Sequence, residues 1–160
     1  MNRSSGLAGV GENGVGQPTR WPLDIRNSLS AMNLIETYEQ LVDAGDWSKA
    51  AEVIQQIIAK NPNIDTSWFN YGVCLDELGR HVEAANAFLR AHELNIQDYG
   101  IHFRLLRSFY LAEDYDQFLA FVDYVCLTFP EEIATVFEST EFPLVAELPA
   151  YTELRGKHYG

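Results

Sequence analysis

A pattern that recurs every 34 residues constrains this chain more than any other feature of its sequence. The segment Gly45–Ala51 aligns with Gly79–Ala85 and again with Glu113–Leu119, without any insertion. Apolar columns keep the same spacing, among them Leu41, Leu75 and Phe109; Ile54, Phe88 and Val122; and Ile57, Ala91 and Val125. Repeats of this length form arrays in which neighbouring units stack, because a single unit cannot bury its own apolar surface.

Each unit contains two segments whose apolar residues recur at intervals of three and four, which is the pattern of an amphipathic helix. Gly45 and Gly79 lie between the two segments and suit a short turn, because glycine tolerates the positive φ common at helix ends. Asp65 and Asp98 precede the second and third units, where we expect them to cap the next helix. The sequence therefore predicts consecutive helical hairpins.

The middle unit carries a specific order of large and small residues. Its first helix runs Trp68-x-x-Tyr71-Gly72-x-x-Leu75, and its second runs Ala84-x-x-x-Phe88-x-x-Ala91. This order resembles the signature of the tetratricopeptide repeat. The resemblance covers residues 31–132 and implies an all-α, right-handed α-solenoid of three helical hairpins, at 31–64, 65–98 and 99–132, followed by a capping helix.

The third unit departs from the pattern at its two small positions. Leu106 stands in the column of Gly72, and Phe118 stands in the column of Ala84. Both replacements are bulky, so the two helices of this hairpin cannot approach as closely. We expect the third hairpin to be splayed, or to be packed against the chain that follows it.

The two ends of the chain differ from the repeats. Residues 1–30 are predicted to be a flexible, Gly- and Ser-rich tail, with an apolar lead-in expected to pack on the first helix. The lead-in comprises Trp21, Leu23, Ile25 and Leu29. The Gly9–Gly14 segment spells GxGxxG, but no apolar strand precedes it, so a dinucleotide site is not expected.

Residues 133–160 are predicted to form the capping helix and a closing tail, because the last unit of a solenoid needs a cover. The apolar residues of the tail are expected to fold back onto the second helix of the third unit. They are Phe142, Leu144, Leu148, Tyr151 and Leu154.

Composition excludes several classes of function. The chain has 23 acidic and 11 basic residues, a net charge of −12, which would repel a nucleic-acid backbone. No apolar run could span a bilayer, and no secretory signal is expected, so we expect a soluble, cytoplasmic protein.

The two cysteines, Cys74 and Cys126, are too few and too far apart for a metal site or a disulfide framework. Because the histidines are scattered and no catalytic motif occurs, we expect neither enzymatic activity nor a cofactor.

In the tetratricopeptide family, the first helices of the hairpins line a concave groove that receives a peptide or helix of a partner protein. The resemblance implies these groove residues: Ile35, Glu36, Glu39, Phe69, Asn70, Val73, Asp76, Glu77, Phe103, Arg104, Arg107 and Tyr110. An apolar ladder (Ile35, Phe69 and Phe103) would run beside a polar row, acidic in the first two units and basic in the third. This row would suit a ligand with a basic end, an apolar centre and a carboxylate end. We expect Phe69→Ala to weaken binding without loss of stability.

The resemblance favours an adaptor, scaffold or assembly factor. Tetratricopeptide domains that bind acidic chaperone C-termini use a two-carboxylate clamp, of which only Asn70 and Arg104 match here, so that clamp is absent. Class II chaperones of bacterial type III secretion are an alternative, because they are acidic, have three repeats and hold a client segment in the same groove. Self-association through the terminal helix is a further possibility.

Overall fold

A computed structural model describes Trp21 and residues 29–95 and 98–160. Within these ranges every regular element is a helix: α1 (Leu29–Asp43), α2 (Trp47–Lys60), α3 (Asp65–Glu77), α4 (His81–Leu94), α5 (Tyr99–Leu111), α6 (Tyr115–Thr128), α7 (Ile133–Glu138), α8 (Pro143–Ala146) and α9 (Pro149–His158), with a 3₁₀ turn at Pro130–Glu132. Helices α1 to α6 pack in chain order, each against the next. The predicted all-α solenoid of three helical hairpins is confirmed.

All three hairpins turn through the same motif. A residue with positive φ ends the first helix in each case: Gly45 at 70°, Gly79 at 73° and Glu113 at 58°. The N–H that follows it donates to the carbonyl five residues earlier: Asp46 to Leu41 (2.9 Å), Arg80 to Leu75 (2.8 Å) and Asp114 to Phe109 (3.0 Å). These bonds satisfy carbonyls that a helix end would otherwise leave unpaired. The expectation for the two glycines is confirmed, and the third turn makes the same shape without glycine.

The two aspartates expected as N-caps behave differently. Asp98 caps α5, because its side chain accepts a hydrogen bond from the Gly100 N–H at 2.8 Å. Asp65 is instead the first residue of α3, whose N-cap is Ile64. Its carboxylate accepts from the Thr66 N–H and from the Asn95 side chain, both at 2.8 Å, so it ties α3 to the end of α4.

The buried side chains form two clusters. The first hairpin builds one of them, in which the Trp21 ring packs edge-on against Tyr38 at 5.9 Å. Trp21 therefore packs on α1 as expected. Leu29 does not, because its side chain is 76% exposed. The other expected lead-in residues, and the rest of the N-terminal tail, lie outside the described residues.

The second cluster joins the second and third hairpins and the C-terminal segment. In the second hairpin, a Cβ added to Gly72 would lie only 2.7 Å from the Phe88 ring, so glycine is what lets α3 and α4 touch. In the third hairpin, α5 and α6 pack less closely along their length. The bulky Leu106 and Phe118 are both buried there. The Phe142 ring from the C-terminal segment lies 5.0 Å from Phe118.

The C-terminal region is broken into short helices. Pro143 and Pro149 begin α8 and α9, which suits a residue without an N–H at the first helical position. Phe142 and Tyr151 are buried as expected, and Leu148 and Leu154 are half-buried. Leu144 is an exception, since it is 59% exposed.

A buried polar seam joins the second and third hairpins. The His102 Nδ1 lies 2.8 Å and 3.0 Å from the two carboxylate oxygens of Glu132, and both side chains are buried. Burial raises the pKa of Glu132, although the bond to His102 acts in the opposite direction. The His92 ring lies 5.0 Å from the His102 ring, and its Nε2 lies 3.2 Å from the Tyr124 hydroxyl. Burial lowers the pKa of His92, with a smaller contribution from His102.

Within the described ranges, none of the helices combines the length and the apolar character needed to cross a membrane.

Candidate partner-binding groove

The expected groove residues lie on α1, α3 and α5, called here the groove helices, and they divide into three groups by exposure. Glu36, Glu39 and Glu77 are exposed. Phe103, Arg107 and Tyr110 are half-buried. The remaining six are buried: Ile35, Phe69, Asn70, Val73, Asp76 and Arg104. The structure therefore leaves six of the twelve side chains at least partly accessible to a partner.

The expected apolar ladder is not a continuous exposed surface. Phe69 is only 5% exposed, and its ring packs edge-on against Phe88 at 5.4 Å. Ile35 belongs to the buried cluster of the first hairpin, which also includes Trp21. Phe103 alone of the three is half-buried. The burial of Phe69 reverses the expectation for Phe69→Ala: removing a buried aromatic ring leaves a cavity, so this variant should lose stability.

Asp76 is the centre of a polar cluster that joins the second and third hairpins. Its buried carboxylate accepts hydrogen bonds from the Ser108 hydroxyl at 3.1 Å and 3.2 Å and from the Arg107 Nη1 at 3.4 Å. The His81 Nδ1 lies 3.0 Å from the same carboxylate. Three partners, one on α4 and two on α5, satisfy a buried carboxylate that would otherwise be costly. Asp76 therefore holds α3, α4 and α5 together instead of facing a ligand.

Arg104 is a buried cation. It is 4% exposed, and its Nη2 has no hydrogen-bond partner in the described part of the chain. Burial lowers the pKa of its guanidinium, and Arg107 acts in the same direction, while Asp76 and Glu77 oppose them. Arginine stays charged in proteins even under such conditions. The guanidinium group of Arg104 is thus a buried positive charge and is not accessible for a bidentate contact with a ligand.

The accessible part of α5 is aromatic and partly covered by the chain's own C-terminal region. The Phe103 and Tyr110 rings lie 5.9 Å and 5.5 Å from the Phe142 ring. The Tyr110 hydroxyl also accepts a hydrogen bond from the Leu144 N–H at 3.4 Å. Two expected groove residues therefore already contact an internal segment.

The remaining accessible groove residues are mainly acidic. Glu36, Glu39 and Glu77 are exposed, whereas the Arg107 side chain is 31% exposed and shares its charge with Asp76. The expected charge contrast along the groove, acidic in the first two hairpins and basic in the third, is therefore reduced. The carboxylates of Glu36, Glu39 and Glu77 remain exposed, while the guanidinium of Arg104 is buried and that of Arg107 is paired with Asp76.

Sequence reasoning missed two residues that shape this region. Ser108 stands in the column of Cys74, and a hydroxyl at a core position was the available signal that it pairs with a buried polar group. Phe142 was expected on the second helix of the third hairpin, where it does contact Phe118. Its contacts with Phe103 and Tyr110 on α5 were not foreseen, because the repeat spacing carries no information about a segment that follows the repeats.

Among Trp21 and residues 29–95 and 98–160, no three His, Cys, Asp or Glu side chains come together as possible metal ligands.

Comparison with known proteins agrees with the geometry. Residues 40–99 match the family model of the tetratricopeptide repeat, from the end of α1 to the start of α5. A search of curated proteins finds no match to the chain. The matched residues include the whole second hairpin, with Gly72 against Phe88 and the positive-φ turns at Gly45 and Gly79. The match over residues 40–99 and the helical hairpins together support a protein of the tetratricopeptide-repeat family, whose repeats generally mediate protein–protein interaction.

Proposed function

We propose that the protein is a non-enzymatic interaction module, acting as an adaptor, scaffold or assembly factor, and that its groove helices bind a peptide or helix of a partner protein. The observation that carries this proposal is the grouping of accessible side chains. Glu36 and Glu39 on α1, Glu77 on α3, and Phe103 and Tyr110 on α5 remain accessible while the helices beneath them are well packed. A rigid scaffold with an accessible mixed surface is what peptide recognition requires.

The charges of the groove helices indicate the chemistry of the partner. The exposed carboxylates of Glu36, Glu39 and Glu77 are complementary to lysine or arginine side chains. The half-buried rings of Phe103 and Tyr110 suit an apolar or aromatic residue. We therefore infer a partner segment with a basic part and an apolar part. A carboxylate end is less favoured, because Arg104 is buried and Arg107 is paired with Asp76.

A charge-reversal experiment tests this proposal. Glu39→Lys with Glu77→Lys reverses two exposed charges on the groove helices. A matched control, Glu52→Lys with Glu153→Lys, makes the same change in net charge on α2 and α9. Each protein is checked for helicity by circular dichroism and then used to capture and cross-link partners from the source cells.

The proposal predicts a protein that is captured by the wild type and by the control. The groove variant should capture it at least about tenfold less, a loss of about 1.4 kcal/mol, because its lysines would face the basic residues of the partner with like charge. A partner that binds all three proteins equally would place the binding surface elsewhere. Equal loss in both variants would mean that net charge alone governs the association.

The alternative function is that of a class II type III secretion-like chaperone, which holds an extended client segment. Its support is the combination of three hairpins with a net charge of −12. This function predicts an aggregation-prone client that becomes soluble when the two proteins are co-expressed. A partner that is soluble and folded without this protein would favour the adaptor function instead.

A reducing compartment such as the cytoplasm is the proposed setting. Cys74 and Cys126 are both free and buried. Burial raises the pKa of each thiol to about 11, so neither is a ready thiolate at neutral pH. Two unreactive, unpaired cysteines suit a protein that needs no disulfide for its fold.

A further inference from the structure

Residues 139–148 pack against the third hairpin through Phe142, and this segment is called here the strap. It connects α7 to α9 and includes the four-residue helix α8. Phe142 in the strap is buried, whereas Glu141, Pro143 and Leu144 beside it are exposed. The strap therefore places one aromatic side chain inside the hairpin and leaves its neighbours in solvent.

The Phe142 ring fills an aromatic socket formed by both helices of the hairpin. Phe103 and Tyr110 contribute from α5 at 5.9 Å and 5.5 Å, and Phe118 contributes from α6 at 5.0 Å in an edge-on arrangement. Such distances and angles are favourable for aromatic pairs. The socket exists because Leu106 and Phe118 replace the small residues that close the second hairpin.

Few interactions other than Phe142 hold the strap in place. In the described part of the chain, the strap is tied to the hairpin by a hydrogen bond from the Leu144 N–H to the Tyr110 hydroxyl, which is long at 3.4 Å. Val145 is also buried. Helices of four or six residues, such as α8 and α7, have little stability of their own. The free energy that docks the strap therefore depends mainly on three apolar side chains, those of Phe142, Val145 and the half-buried Leu148.

Both flanks of the strap are anchored independently of it. On one side, Phe137 packs against Tyr151 at 5.3 Å. On the other, α9 is attached to α6, because Lys157 Nζ and His158 Nε2 lie 2.9 Å and 2.7 Å from the Asp123 carboxylate. The strap can consequently leave the socket while α7 and α9 stay in place.

We propose that the aromatic socket of Phe103, Tyr110 and Phe118 is a docking site for an aromatic side chain of the partner segment, and that Phe142 occupies this site until the partner displaces it. The inference rests on the proposed function, because Phe103 and Tyr110 belong to the expected groove. Phe142 itself identifies the chemistry that the socket accepts. The strap competes with the partner for the socket. A partner must therefore bind tightly enough to displace Phe142.

The strength of this competition follows from effective concentration. A segment tethered at both ends by short connections has an effective concentration of about 1 mM at its site. If the same sequence binds the empty socket with a Kd of about 0.1 mM, the closed strap weakens any competing ligand about tenfold.

The test uses a labelled synthetic peptide with the sequence of residues 139–148, and a control peptide in which Phe142 is replaced by alanine. Each peptide is titrated into the wild type, into Phe142→Ala, and into Leu144→Ala, which alters the exposed neighbour. The proposal predicts that Phe142→Ala binds the phenylalanine peptide at least about tenfold more tightly than the wild type and the Leu144→Ala variant do. The alanine peptide should bind none of them measurably.

Absence of peptide binding by a folded Phe142→Ala protein, or equal binding by that variant and the wild type, would overturn the proposal. If Phe142→Ala does not fold, Phe142→Leu takes its place, because it keeps an apolar side chain but loses the ring contacts. Since no partner protein enters this experiment, its failure leaves the groove proposal standing. Failure of the charge-reversal experiment, conversely, leaves the peptide result unaffected.

Discussion

The second and third hairpins have the same spacing and the same turn, but they are closed by different means. In the second, Gly72 lets α3 rest directly on Phe88, and the hairpin closes on itself. In the third, Leu106 and Phe118 keep α5 and α6 apart, and Phe142 from a later segment enters the space between them. Large residues at two repeat positions that are small in the second hairpin thus give a hairpin that accepts a side chain from the C-terminal segment.

The consequence of this difference lies in dynamics. A contact between two long helices opens only when the helices separate, which is a large part of global unfolding. A contact made by a short strap can open by itself, because only a few residues need to move. We therefore expect the second hairpin to supply stability and the third to supply a binding site, and the following variants test that division.

The largest effect is expected for Phe88→Ala in the second hairpin. Phe88 is fully buried and contacts both Phe69 and the backbone of α3 at Gly72. Its removal should lower the free energy of unfolding by about 3–5 kcal/mol, the usual range for a buried phenylalanine. Urea denaturation measures this loss. A loss below about 1 kcal/mol would mean that this contact is not the centre of the fold.

A smaller loss is expected for Gly72→Ala. The added Cβ would lie 2.7 Å from the Phe88 ring, which is itself enclosed and cannot move away. Overpacking of this kind costs about 1–3 kcal/mol and outweighs the higher helix propensity of alanine. The matched control is Gly156→Ala in α9, where an added Cβ meets no atom within 4 Å. That variant should gain up to about 1 kcal/mol in thermal or urea denaturation. If Gly72→Ala and Gly156→Ala change the free energy of unfolding by similar amounts, α3 and α4 do not approach as closely as described.

Phe142→Ala should cost about 2 kcal/mol or less, although Phe142 is as buried as many core residues. A side chain that undocks locally contributes to global stability only up to the free energy of its own docking. The same urea experiment gives the comparison with Phe88→Ala. An equal loss in the two variants would show that the strap is an inseparable part of the core.

The smallest effect concerns pH and the seam between the two hairpins. Burial lowers the pKa of His92 from its ordinary value of 6.5, so the folded state favours the neutral ring. Its contribution to stability is therefore present above pH 6.5 and is lost as the pH falls below that value. The wild type should lose more stability between pH 7 and pH 5 than His92→Gln does, by at most about 1.4 kcal/mol per pH unit. If the free energy of unfolding depends on pH in the same way for the two proteins, His92 is not a buried, neutral side chain.

The hairpins could be predicted from the sequence because their determinants lie at fixed spacing. The turns at Gly45 and Gly79, the cap at Asp98 and the bulky third unit all followed from the 34-residue columns. The exposure of the groove residues did not follow, because it depends on how the hairpins wrap around one another. Phe69 and Asp76 occupy positions that face a groove by register, yet Phe69 packs against Phe88 of its own hairpin and Asp76 bonds to Ser108 of the next one.

The strap illustrates a second limit of the sequence. Phe142 was predicted to reach the second helix of the third hairpin, since an apolar tail must cover the last repeat. Its position between α5 and α6 depends on the width of the gap that Leu106 and Phe118 leave, and only the packed structure defines that width.

Amide hydrogen exchange of the wild-type protein, followed at low urea concentrations, tests the contrast between the hairpins most directly. The Ala146 N–H bonds to the Phe142 carbonyl within the strap, whereas the amides of α3 and α4 lie in the second hairpin. We predict that Ala146 exchanges through a local opening that urea hardly affects, while α3 and α4 exchange only through urea-dependent global unfolding. If Ala146 instead shows the same protection and the same urea dependence as α3 and α4, the strap does not open by itself and the account is wrong.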